Sequence, residues 1–334
     1  MTATQATVPD LSAPPSLRTR LSYVPAPLWV AYGLTLACLL LLGLSTESGF
    51  DPDRLLRILS NAAPLGVVAI AQTIVIINRG LDLSVGAVMN SAAILTASLS
   101  AASNANLGVT IVLVLALGAA IGLANGLLLA YTSIPPLLGT LAMATVITGI
   151  NALITRGQPK GLVPDALREL ADGRVLGSPF SASLLIWLVL LIVAGLALTR
   201  TVAGNRFKAV GGNPRASWLA GVPVRSHTIA AYLIAGLLAA AAGIALIAYS
   251  GSPSLTAGDT YALNSVVAAV IGGAALAGGA GSMMGTFAGV AVLAFLTTVL
   301  NSFNIPTPAQ LIINGAVLVL MLLINSRLER RGRQ

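Results

Sequence analysis

The chain has 334 residues, of which 56% are hydrophobic and 8% charged, and a net charge of +8; its mean hydropathy is +0.92. A soluble domain carries about 25% charged residues, so this composition cannot clothe a water-facing surface, and most of the chain has lipid as its solvent. The basic residues fall in short gaps between apolar runs and read as topology signals rather than as a nucleic-acid surface.

One cysteine, Cys38, and one histidine, His227, leave no pair for a disulfide, no Cys-rich metal site and no His-pair zinc motif. Residues 1–27, rich in Pro, Ser, Thr and Ala, lack the basic start and apolar core of a signal peptide. They are predicted to form a flexible cytoplasmic tail, with Arg18 and Arg20 just before the first span. A bilayer core about 30 Å thick takes about 20 apolar residues in a helix. Ten runs meet this, at 28–45, 58–78, 84–102, 107–131, 136–155, 182–199, 228–249, 262–278, 283–302 and 309–325. The fold class is therefore all-α, a polytopic helix bundle over 28–325, followed by a basic cytoplasmic tail at 326–334.

Charge distribution tests the even count. With the N-terminus inside, twelve of the eighteen Lys and Arg fall on the cytoplasmic side: Arg18, Arg20, Arg79, Arg200, Arg206, Lys208, Arg215, Arg225, Arg327, Arg330, Arg331 and Arg333. The outer segments hold Arg54, Arg57, Arg156, Lys160, Arg168 and Arg174, together with seven of the ten acids: Glu47, Asp51, Asp53, Asp165, Glu169, Asp172 and Asp259. The bias predicts that both termini face the cytoplasm. Of the two long connections, 156–181 lies outside and contains a short amphipathic helix from Pro164 that stops at Asp172-Gly173. It reads as a capped loop helix or as a docking ledge. The other, 200–227, lies inside and carries five basic residues.

Glycine marks three features. Gly118, Gly122 and Gly126 fall four apart in one span, and Gly281, Gly285 and Gly289 do so around another; that spacing lines one helical face and lets a second backbone approach. Asn78-Arg79-Gly80-Leu81-Asp82-Leu83-Ser84-Val85-Gly86 joins the second and third spans, and Asp82 or Ser84 is suited to cap the helix that follows. The segment reads as a capped turn or as a gate element, in which Gly80, Asp82, Ser84 and Gly86 take part. A second joint runs from Gly272-Gly273 through Gly278-Gly279 to Gly281, and two such joints resemble the broken helices that transporters place beside a substrate path.

Neutral amides recur inside the spans, and Asn61, Gln72, Asn90 and Asn125 are the candidate path residues, with Asn151, Asn264, Asn301 and Asn314 beside them. Amides both donate and accept, which suits hydroxylated solutes better than ions. No acid lies at the centre of a span. No catalytic or metal-binding set is expected. A phosphate-binding loop requires Gly-Lys-Ser or Gly-Lys-Thr, and the only lysines, Lys160 and Lys208, follow Pro159 and Phe207. Any ATP-driven step therefore needs a separate ATPase chain and a docking surface for it. The 200–227 segment offers Asn213 as the cap of a helix that begins at Pro214 and stops near Gly221. Arg215, Trp218 and Leu219 lie on that helix, which reads as a rigid lever or as a solvated basic loop.

Several segments, in order over about 58–325, resemble the ribose-type sugar permeases of bacterial ATP-binding-cassette (ABC) importers. They are Gly80 to Gly86, Asn125-Gly126, Ile134-Pro135-Pro136, Gly139-Thr140-Leu141, Ala209-Val210-Gly211-Gly212-Asn213 and Ala220-Gly221-Val222. Gly236 to Ala239, Ala242-Gly243-Ile244 and the Gly272 to Gly289 series continue the match. The resemblance implies a permease dimer, from two copies or from related subunits, in the inner membrane. It also implies a cytoplasmic tandem ATPase that binds the ATP and Mg, and a periplasmic sugar-binding protein. Gly211, Gly212, Asn213, Ala216 and Gly221 then fall in the ATPase-coupling region, and replacing Gly212 or Asn213 is expected to uncouple hydrolysis from uptake. Family members often carry Gly-Gly before Ile-Asp-Leu-Ser, where this chain has Arg79-Gly80 before Leu81-Asp82. The rival reading is an ion-coupled transporter, for which Asp82 is the candidate titratable group; an intramembrane enzyme or a structural scaffold fits the residues less well.

Overall fold

The computed structural model describes residues 26–45, 49–173 and 180–331. The predicted N-terminal tail up to residue 25, with Arg18 and Arg20, lies outside the described residues, as do Glu47, Arg174 and Arg333. Among the described residues there are fourteen α-helices, one 3₁₀ turn at Asn104–Asn106 and no β-strand. In chain order they are α1 (Ala26–Ser45), α2 (Pro52–Asn61), α3 (Ala63–Ile77), α4 (Val85–Ser100), α5 (Leu107–Tyr131), α6 (Pro136–Thr155) and α7 (Asp165–Asp172). Then follow α8 (Ala182–Arg200), α9 (Val202–Gly212), α10 (Pro214–Leu219), α11 (Val224–Ser250), α12 (Asp259–Ile271), α13 (Met283–Ser302) and α14 (Thr307–Arg331).

Every predicted apolar run coincides with a helix, but not every run is one straight rod. Six helices are long and apolar enough to cross a membrane: α1, α5 with its 3₁₀ turn, α6, α8, α11 and α13. The run predicted at 58–78 is bent by 54° where α2 meets α3. Pro64, in the first turn of α3, has no N–H to continue the α2 ladder. The run predicted at 262–278 ends early, because Gly272 caps α12 and Gly273, Gly278 and Gly279 take positive φ values of 84°, 88° and 82°. α12, α4 and the apolar part of α14 are short apolar helices. The thirteen residues of α12 extend about 20 Å, less than a bilayer core. α14 continues to Arg331, past the predicted end at 325.

Burial sorts the helices into an inner and an outer set. α3 is buried at every residue from Ala63 to Ile77; it packs against α11, α12, α8 and α13. α4 packs against α11, α5 and α6, and α13 packs against α1 and α12. The outer surfaces of α5, α6 and α8 expose Leu113, Leu138, Ile150, Leu153 and Ile192. Such a surface is stable against hydrocarbon and not against water.

The two glycine series do different work. In α5, a Cβ on Gly118 would stand 2.4 Å from the Gly236 carbonyl oxygen, and one on Gly122 would stand 2.3 Å from the Tyr232 carbonyl oxygen, so these glycines set the close approach of α11. In the other series only Gly285 and Gly289 lie in a helix, where they meet Gly272 and Ala268 at the end of α12. Gly281 precedes α13 and faces the Ile77 side chain, so the predicted single face of three does not form.

Candidate functional site

The first joint begins as a Schellman cap. The N–H of Arg79 donates to the Ile76 carbonyl (2.8 Å) and that of Gly80 to the Val75 carbonyl (2.9 Å). The left-handed position of this cap is held by Arg79, at φ 65°, rather than by a glycine. Gly80 has no room for a side chain, since a Cβ would stand 2.5 Å from the Tyr232 hydroxyl. Asp82 is buried, and one carboxylate oxygen accepts from the Ser84 N–H (2.9 Å) and the Ser84 hydroxyl (2.6 Å). Asn125, on α5, donates its amide to the same hydroxyl at 2.9 Å. Ser84 occupies the N-cap position of α4 but makes no side-chain cap bond. The expected cap is replaced by an Asp82 turn closed on the residue two further on.

Two residues outside the candidate set hold this joint in place. The Tyr232 hydroxyl, from α11, donates to the Leu81 carbonyl and accepts from the Leu81 N–H, both at 3.3 Å. The Thr140 hydroxyl, from α6, accepts from the Leu83 N–H at 3.1 Å. Both are remote in sequence, and their only local signal is that Thr140 lies in the Gly139-Thr140-Leu141 segment. The joint is thus braced from α5, α6 and α11 together.

The second joint starts from the same device. Gly273 donates to Val270 (3.0 Å) and Ala274 to Ala269 (2.9 Å), which closes α12 with a Schellman cap. At its far end Ser282 caps α13 by accepting from the Gly285 N–H at 3.4 Å. Gly86, just inside α4, approaches the other end of α12, where a Cβ on it would meet the Gly258 carbonyl oxygen at 2.7 Å.

The 200–227 segment holds two helices where one was predicted. α9 starts at Thr201, whose hydroxyl accepts from the Gly204 N–H at 3.0 Å. The glycines within it mask it in the sequence. α10 starts as expected: Asn213 Oδ1 accepts from the Ala216 N–H at 3.0 Å, with Pro214 in the first turn. It ends at Gly221, φ 80°, where Val222 donates to Ser217 and Gly221 to Trp218. Arg215 and Ala216 are exposed, and Trp218 and Leu219 are 68% and 72% exposed. An open groove of about 730 Å³ beside α10 is lined by Pro214, Arg215, Trp218, Val224 and Arg225. Gly211 is buried against Ile77 at the end of α3, while a Cβ on Gly212 would meet nothing closer than 4.0 Å.

The four candidate path amides are dispersed. Asn61 is exposed at the bend between α2 and α3. Gln72 is fully buried, and neither amide atom has a hydrogen-bond partner among the described residues. Asn90 is engaged on both sides: its amide donates to Leu255 and Asp259, both at 2.8 Å, and its oxygen accepts from the Gly258 N–H at 2.6 Å. Only Asn125 is tied to a joint. Among the described residues no hydrogen bond joins any two of the four. Asn151, buried as well, accepts from Ser91 at 2.9 Å.

An all-helical apolar bundle with broken, braced inner helices and a short exposed helix is the architecture of a multi-pass membrane protein. Residues 54–322 match the family described as the permease component of the branched-chain amino acid transport system. The chain is 31% identical to the ribose import permease protein of Escherichia coli K12, over 83% of this chain and 87% of that protein. It is 32% identical to the ribose import permease protein of Bacillus subtilis 168, over 86% and 89%. To the autoinducer 2 import system permease protein of Escherichia coli HS it is 32% identical, over 87% and 92%. No solved structure matches it significantly. The chain belongs to this family of ABC importer permeases. It is a multi-pass inner-membrane transport subunit.

Proposed function

We propose that the chain is the permease subunit of an ABC importer that moves a monosaccharide or similar small polyol by alternating access. The observation that carries the solute class is the similarity, along most of both chains, to import permeases named for ribose in Escherichia coli and Bacillus subtilis. Ten crossings with both termini inside would use the six long helices and the bent α2–α3 pair, with the shorter α4, α12 and α14 completing the count. In that arrangement 200–227 is the cytoplasmic coupling loop and 156–181 the periplasmic loop of a permease domain spanning 28–325.

The chain then works with a cytoplasmic tandem ATPase that binds ATP and Mg, a periplasmic binding protein, and a second permease subunit, identical or related. Trp218 and Leu219 suit the coupling contact, since large exposed apolar groups on a short capped helix gain most from being covered by a partner. Gly211, Gly212, Asn213 and Gly221 shape that helix and its seat. Gly80, Asp82, Gly86, Gly272, Gly273, Gly278 and Gly279 form the gate joints. Of the four candidate path amides, Gln72 and Asn125 have buried unpaired atoms, which suit a hydroxylated solute. An ion-coupled carrier would need Asp82 open to a path, whereas Asp82 is buried and one of its carboxylate oxygens is engaged by Ser84.

Proteoliposomes holding the permease with its native ATPase and binding protein test the reading. Radiolabelled ribose and other monosaccharides are expected to accumulate only with internal or external ATP at the ATPase face. Accumulation driven by a proton or sodium gradient without the ATPase would overturn it.

A further inference from the structure

We infer that Gly211 is the positioning residue of a three-way backbone clasp that fixes the coupling segment to both gate joints, so that the three move as one body. The inference rests on the importer reading above. The Schellman cap of α3 uses the carbonyls of Val75 and Ile76, which leaves that of Ile77, the last in the helix, without a local partner. The N–H of Gly279, from the second joint, donates to it at 2.8 Å. One hydrogen bond therefore ties the α12–α13 connection to the root of the α3–α4 connection.

Gly211 of α9 lies directly over this bond. A Cβ there would stand 1.7 Å from the Ile77 carbonyl oxygen and 2.7 Å from the Gly279 nitrogen. From the other side, a Cβ on Gly278 would stand 2.6 Å from the Gly211 carbonyl oxygen and 2.8 Å from Arg79 Cβ. A Cβ on Gly279 would stand 2.8 Å from Gly212 Cα. Nearly all these neighbours are main-chain atoms, which cannot yield by changing rotamer. Close-packed backbone transmits displacement rather than absorbing it. A pull on α10 thus reaches α3 and the second joint at the same point.

The direct test places spin labels at Arg79→Cys and Lys208→Cys in a Cys38→Ser background, in the assembled transporter, and compares the nucleotide-free with the vanadate-trapped state. A reference pair, Lys208→Cys with Asp165→Cys, reports movement of the segment relative to the outer face. The expected result is a shift in the reference distance and none across the clasp. A shift across the clasp as large as the reference shift would overturn the inference, as would a still reference pair in a complex that hydrolyses ATP. Failure of the unlabelled complex to couple ATP hydrolysis to uptake would instead strike the importer reading itself.

A functional test supports the labels. Gly211→Ala is expected to lower ribose uptake per ATP hydrolysed by about tenfold, the size of an ordinary coupling free energy, while hydrolysis continues. Gly149→Ala, where a Cβ meets nothing within 4 Å, leaves the ratio unchanged. Coupled uptake preserved in Gly211→Ala counts against the clasp. If that variant does not accumulate, the label distances decide.

Discussion

Arg79 carries a side chain in a backbone conformation that favours glycine. At φ 65° a residue with a Cβ is disfavoured by roughly 1–2 kcal/mol. Arg79→Gly is therefore expected to stabilise the purified protein by about 1 kcal/mol, read as a higher midpoint of thermal unfolding in detergent. A lower midpoint would mean that the Arg79 side chain makes a compensating contact. Gly221 holds the equivalent position after α10 and could be read from the chain, because a capping asparagine and a proline open that helix and a glycine closes it. Arg79 could not be read so, because arginine has no preference for positive φ and its neighbours in the cap are backbone groups. The same limit hid Tyr232 and Thr140. Each meets the first joint across a long stretch of chain, and no local pattern encodes which hydroxyl reaches which amide.

At the scale of elements, apolar length located the long helices, and glycine spacing located the close packing of α5 on α11. Gly122 tests that pair. Its Cβ would stand 2.3 Å from the Tyr232 carbonyl oxygen, and Tyr232 also holds Leu81. Gly122→Ala is expected to cost about 1–3 kcal/mol, the usual penalty for overpacking, and to lower the thermal midpoint. An unchanged midpoint would show that α5 and α11 can part without cost. The misread elements share a physical cause. Gly272 to Gly281 is as apolar as a helix, so hydropathy carries the predicted span past Ile271, whereas positive φ at three glycines ends it. α9 was missed for the converse reason, since its glycines weaken helix propensity while Thr201 caps it and packing sustains it. Pro64 signals the α2–α3 bend, but a proline in a first turn also fits an ordinary helix start.

For the whole molecule, the two joints and the coupling segment are each visible as glycine-rich punctuation, and their convergence is not. It is made of main-chain contacts among Ile77, Gly211, Gly278 and Gly279, which belong to three distant stretches. The path amides show the opposite pattern. Their chemistry is plain in the sequence, yet the fold commits Asn90 to holding the 255–259 segment and leaves Gln72 and Asn125 with unpaired atoms. The sequence carries no Gly-Lys-Ser or Gly-Lys-Thr loop, so the proposed importer role requires a partner that supplies the ATPase. The most direct measurement is therefore the composition and mass of the complex purified through a tag on this chain, from its native host in mild detergent. The account predicts a stoichiometric soluble protein with two ATPase modules. A pure permease that still concentrates a monosaccharide, driven by an ion gradient alone, would contradict it.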